Sequence, residues 1–162
     1  MGRRAVIIGG LVLAVLVPAQ AHAVGVWDRN DARGPYDLRW VGATHTGAGR
    51  IKLTVTFYPG FDAGLLPRRG YRPGVWVKLD DVAMSGFFRL NTRDEVVFAY
   101  GDTASSCCRI YPVAQPSPRT LVVRYHPIDE GEPGFTIHGR SVWGSGERRQ
   151  PDWTRWFDLG PV

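Results

Sequence analysis

Apolar and polar residues alternate most regularly from Arg50 to Tyr58. Ile51, Leu53, Val55 and Phe57 fall on one side of an extended chain, and Lys52, Thr54, Thr56 and Tyr58 on the other. A period of two is that of a strand with one buried face. Upstream, Tyr36, Leu38 and Trp40 alternate with Asp37 and Arg39, and Thr46-Gly47-Ala48-Gly49 has turn composition, so residues 36–58 predict a hairpin. Weaker versions of the pattern predict strands over 75–79, 87–90, 95–100, 109–113, 121–125 and 135–143. Between them stand Pro59-Gly60, Pro67 to Gly70, Pro73-Gly74, Asp80-Asp81, Gly101-Asp102, Pro112 to Pro118 and Gly131 to Gly134, all turn formers. No segment carries a helical period. About seven to nine short strands, each with one apolar face, predict an all-β fold: an antiparallel sandwich or jelly roll in which two sheets cover each other's apolar sides.

The N-terminus follows a different pattern. Arg3 and Arg4 precede the apolar run Ala5 to Val17, Pro18 ends it, and Ala19, Ala21 and Ala23 place small residues at alternate positions. This is the order of a signal peptide, with cleavage expected after Ala23. The run is shorter than the ~20 apolar residues of a spanning helix. Residues 1–23 are therefore expected to be removed, and residues 24–162 to form one secreted, extracellular domain with no transmembrane segment. The first Cys is Cys107, which leaves no lipidation site after the apolar run.

Charge narrows the partners. Losing Arg3 and Arg4 lowers the formal net charge from +5 to +3, and acidic residues are interspersed with the basic ones. Nucleic-acid binding is not expected, because basic residues come at most in pairs and phosphate tracking needs clustered cations. The balance is that of a solvated mixed surface, with weak attraction to anionic cell-wall polymers or lipid headgroups as the alternative.

The stretch Asp28-Arg29-Asn30-Asp31-Ala32-Arg33-Gly34-Pro35-Tyr36-Asp37-Leu38 is the most informative segment. Asp28, Asn30, Asp31 and Asp37 are candidate oxygen ligands for Ca²⁺, which takes six to eight such ligands from flexible loops. It is not an EF-hand, since Arg33 and Arg39 stand where that loop requires Gly and Glu. The alternative is a plain turn in which Asp and Asn side chains accept from nearby backbone N–H groups, with Arg29 and Arg33 opposing a divalent ion. The order Asp, Asn-Asp, Gly-Pro, Asp-Leu and then an alternating strand resembles the opening of exported bacterial β-sandwiches of the DOMON and carbohydrate-binding module family nine-like group, over roughly Trp27 to Tyr58. The resemblance implies a sandwich that binds sugars, haem or calcium. The chain lacks a clear Met and His pair of the haem-binding kind.

Six Trp point to saccharide or cell-wall material as partner, because flat rings stack on sugar faces. Trp40 and Trp143 share faces with apolar neighbours and are expected in the core. Trp76 shares its face with Lys78 and Asp80 and is a candidate ligand contact, together with Tyr58 on the polar side of its strand. Trp153 and Trp156 lie in a polar C-terminal tail, where they either pin the tail or offer a platform.

Cys107 and Cys108 are adjacent, and export exposes them to an oxidising compartment. Their Cα atoms, ~3.8 Å apart across a trans peptide, sit closer than disulfides prefer. A strained vicinal disulfide, a bond to a second chain giving a homodimer, and two buried thiols all remain open. Catalysis has thin support. His45, His126 and His138 show no metal-binding spacing, Gly144-Ser145-Gly146 is an incomplete nucleophile elbow, and Asp80-Asp81 and Asp129-Glu130 sit in predicted turns. The expectation is a non-enzymatic binding module with a calcium loop. The alternatives are a disulfide-linked structural protein of the cell envelope and, last, a small hydrolase.

Overall fold

The structure, a computed structural model, describes residues 23–32, 34–47, 49–68, 76–80, 85–101, 109–126, 135–144 and 150–160. It is all-β and antiparallel. Its strands are β1 (Val24–Trp27), β2 (Leu38–His45), β3 (Ile51–Phe57), β4 (Trp76–Asp80), β5 (Ser85–Leu90), β6 (Val96–Gly101), β7 (Arg109–Ser117), β8 (Thr120–Tyr125), β9 (Phe135–Trp143), β10 (Gln150–Trp153) and β11 (Phe157–Leu159). Among the described residues the one helical element is a 3-10 turn, Ala63–Leu65, capped by the Asp62 carboxylate accepting from the Gly64 N–H.

Strand order along the hydrogen-bonded path is β1-β2-β3-β8-β7-β6-β5-β4-β9-β10, with β11 also on β9. β7 joins two blocks: its first half pairs with β6 and its second with β8. The expected stretch of turn from Pro112 to Pro118 is corrected here, because the strand runs through Pro112 and Pro116 to Ser117. Proline lacks a donor, and it is tolerated where a strand hands over from one partner to another and leaves one side of its ladder free.

The core lies between the two blocks. From the first come Val41, Leu53, Val55, Leu121 and Val123; from the second, Phe88, Phe98, Tyr100 and Ile137. β3 shows the driving pattern directly, since Ile51, Leu53, Val55 and Phe57 are fully buried and the residues between them are not. Burying such a side chain contributes roughly 1.5–3 kcal/mol each. Phe98 and Tyr100 meet Tyr125 across the gap at centroid distances of 5.4 and 4.8 Å. The two ends of the path also approach each other, with β2 against β9 and β1 against β11.

The predicted hairpin forms. His45 pairs with Ile51 across a turn in which Gly47 and Gly49 have φ of 69° and 67°, values that favour glycine. One expectation in it fails. The register shifts between Leu38 and Trp40, so Leu38 and Val41 both point inward while Trp40 turns to the outer face. A bulge adds one residue to one strand and reverses the alternation beyond it. Trp40 is therefore not a core residue. Trp143 packs against the core as expected.

Candidate functional site

The acidic opening is built against the C-terminal strands. Asp28 follows β1, its N–H donating to the Arg39 carbonyl and its carbonyl accepting from the Tyr58 hydroxyl at 2.9 Å. The loop then turns at Gly34 (φ 128°), where an added Cβ would lie 2.6 Å from the Trp143 ring, so only glycine fits. Tyr36 stands edge-on to Trp143 at 5.6 Å, and the Ser141 hydroxyl of β9 donates to the Tyr36 carbonyl. The next N–H but one, that of Leu38, donates to Asp152 Oδ2 of β10 at 2.5 Å. These ties hold a loop from one end of the chain against strands from the other.

Carboxylates converge at that seam. One oxygen from each of Asp28, Asp31 and Asp152 lies within 4.8 Å of the others. They run from solvent inward: Asp31 is exposed, Asp28 half-buried, and Asp152 buried at 4% exposure. Asp37, 5% exposed, feels the charges of Asp28 and Asp31 and itself acts on Asp152. Burial pushes the Asp37 carboxyl up to about 6, helped by the charges of Asp31 and Asp28, while the Ala32 N–H opposes the shift. Burial likewise pushes Asp152 up to about 8; the Leu38 N–H lowers it, and contact with Asp28 and the charge of Asp37 raise it further. The charges acting on both groups are thus those of other carboxylates. Asp28 Oδ2 and Asp37 Oδ1 are buried atoms with no hydrogen-bond partner. Buried oxygens of this kind are costly unless a proton or a cation compensates them. A hard, oxygen-seeking ion such as Ca²⁺ fits the donor set, which holds no nitrogen or sulfur.

Of the carboxylates that converge, the sequence pattern indicated Asp28 and Asp31 and missed Asp152. Asp37 feels the charges of Asp28 and Asp31 but is not one of the three whose oxygens converge, and Asn30 is exposed in the same loop. Asp152 was not foreseen. It joins from 114 residues away along the chain, through pairing of β10 with β9 that places it opposite Ser141.

The aromatic candidates separate. Trp153 and Trp156 are 57% and 51% exposed, although both lie beside paired strands rather than in an irregular tail. The Arg140 guanidinium sits 4.5 Å from the Trp153 ring centroid, and Trp156 stacks on His138 at 3.7 Å. Tyr58 is half-buried with its hydroxyl used by Asp28. Trp76 lies in β4 opposite Val142, but its side chain is outside the described residues, as are Cys107 and Cys108. Not foreseen were Trp27, 68% exposed, and the outward-facing Trp40 beside it. No helix among the described residues is long and apolar enough to cross a membrane. Compared with protein-family models, with curated proteins and with solved structures, the chain matches none.

Proposed function

We propose that this chain is a secreted β-sandwich of the jelly-roll-like kind, a non-enzymatic binding module for saccharide or cell-wall material that carries Ca²⁺ in the Asp28, Asp31, Asp37 and Asp152 cluster. One observation carries the calcium reading. Asp28, Asp31 and Asp152 bring oxygens within 4.8 Å of one another beside Asp37, with Asp37 and Asp152 pushed well above the ordinary range and one buried oxygen each of Asp28 and Asp37 lacking a hydrogen-bond partner. A bound divalent ion would satisfy those oxygens and relieve the repulsion, fastening the first loop to β10. The saccharide reading is supported by the exposed rings of Trp153 and Trp156, flat surfaces of the kind that stack on sugar faces. Trp76 stays a proposed contact on the sequence pattern alone.

Thermal melting of residues 24–162 near neutral pH tests the ion. At a hundredfold excess over Kd, Ca²⁺ adds ~2.7 kcal/mol, which for a domain of this size raises Tm by roughly 10 °C. An identical Tm in Ca²⁺ and in chelator would remove the metal from the proposal.

A further inference from the structure

The outer face of β1, β2 and β3 carries an aromatic surface that the sequence pattern did not indicate. On this face Trp27 pairs with Trp40, Gly25 with Gly42, and Trp40 and Gly42 continue onto Thr56 and Thr54 of β3. The two glycines form a floor under the Trp40 ring. An added Cβ at Gly42 would lie 2.0 Å from it and one at Gly25 2.7 Å from it, so the indole lies down along the sheet instead of standing out from it. Trp27 rests beside it at 6.2 Å, tilted by 53°, and leaves 68% of its surface to solvent. Arg39, thrown outward at the bulge, spans the Trp27 ring at 5.6 Å and the Tyr58 ring at 6.0 Å.

The charge on this face has one sign. Strands β1, β2, β3 and β8 contain no Asp or Glu, while Arg39, Lys52 and Arg124 are all basic, and Lys52 pairs directly with Arg124 across β3 and β8. Adjacent like charges with no carboxylate between them are unfavourable on a bare sheet and suit an anionic ligand. The polar remainder is threonine: Thr44, Thr54, Thr56 and Thr120, hydroxyls at strand spacing that can donate to or accept from a second set of hydroxyls. Across β1, β2, β3 and β8 the aliphatic side chain on this face is Val122, half-buried opposite Thr54, which sets the face apart from a lipid-inserting surface, where Leu and Phe accompany the tryptophans.

We propose that this face is a platform for an acidic polysaccharide. A pyranose ring lies against Trp27 and Trp40, and the carboxylate of a uronic acid unit pairs with Arg39. Lys52 and Arg124 extend the cationic track along the chain of the glycan. The inference rests on the reading of the domain as a saccharide binder and adds the place and the charge class of the ligand. It is independent of the ion.

Binding of soluble oligogalacturonides to residues 24–162, followed by tryptophan fluorescence in chelator, tests it. The fully methyl-esterified oligomers serve as the uncharged control. The acidic oligomer is expected to bind, to weaken as salt rises, and to lose about tenfold in affinity in Trp27→Ala and in Arg39→Gln, each the loss of one stacking or charge contact. Trp27 is mostly solvated, so an unchanged melting curve in Trp27→Ala will show the domain intact. Equal binding of the esterified oligomer, or undiminished binding by both variants, overturns the platform. If loss follows Trp153→Ala instead, the platform falls and the saccharide reading stands. If no oligomer and no cell-wall polysaccharide binds, both fall. Binding confined to vesicles rich in anionic lipid would overturn the glycan in favour of a membrane surface.

Discussion

Raised carboxyl groups make the fold's stability depend on pH in the direction opposite to most acidic sites. Asp152 titrates near 8 in the folded chain and Asp37 near 6, against ordinary values near 4 when unfolded. Below about pH 4 both states hold these protons and their contribution is fully present. As pH rises from there the unfolded chain releases them while the folded chain keeps them, so stability falls until the folded groups also ionise, at about 6 and about 8. Each pH unit of such a mismatch is worth about 1.4 kcal/mol per group. From about pH 5.5 to about pH 7.5 Asp152 therefore accounts for up to ~3 kcal/mol of lost stability in chelator, and Asp37 adds less because it ionises early in that interval. Calcium replaces the proton as the compensating charge, so it should restore more stability at the higher pH than at the lower. Urea unfolding of residues 24–162, followed by tryptophan fluorescence in chelator and in millimolar Ca²⁺, reads both effects. Stability in chelator that stays flat or rises over this interval, or a calcium increment that is equal at the two pH values, would contradict raised carboxyl groups at Asp152 and Asp37.

Three further substitutions probe separate links. Asp152→Asn keeps an oxygen for the Leu38 N–H but removes the charge, so the variant is expected to be more stable than the parent in chelator at neutral pH and insensitive to Ca²⁺; urea midpoints in the two conditions check it. Gly86→Ala places a Cβ 1.9 Å from the ring of Phe98, which is 1% exposed and cannot move aside, and should cost about 1–3 kcal/mol or more in thermal unfolding. Ser141→Ala leaves the buried Tyr36 carbonyl without its donor and should cost roughly 1–3 kcal/mol while loosening the loop that carries Asp37, measurable as faster amide exchange from Asp28 to Asp37.

What the sequence could convey depended on how local the cause was. The burial of Ile51, Leu53, Val55 and Phe57 follows from spacing alone, and the strand appears where alternation predicted it. The turn at Gly47 and Gly49 is equally local. Trp40 defied the pattern because a bulge is a property of pairing with β3, and nothing in residues 36–40 announces which position will be doubled. β10 and β11, four and three residues long, are too short for alternation to register, and Pro151 obscures the first of them. Their place depends on β9, which pairs with both. Asp152 was hidden for the same reason. An aspartate in a short strand looks ordinary until β10 sets it against a loop more than a hundred residues earlier. The acidic opening was legible as a donor set; the convergence of Asp152 on Asp28 and Asp31, and its burial, were not.

Calorimetric titration of residues 24–162 with Ca²⁺ near neutral pH, in two buffers of different ionisation enthalpy, asks whether the carboxylates at the seam hold an ion. The triad of Asp28, Asp31 and Asp152 predicts saturable binding accompanied by proton release, seen as a heat that differs between the buffers, and its loss in Asp152→Asn. Absence of binding heat in the parent chain, or binding that Asp152→Asn leaves unchanged, would contradict it.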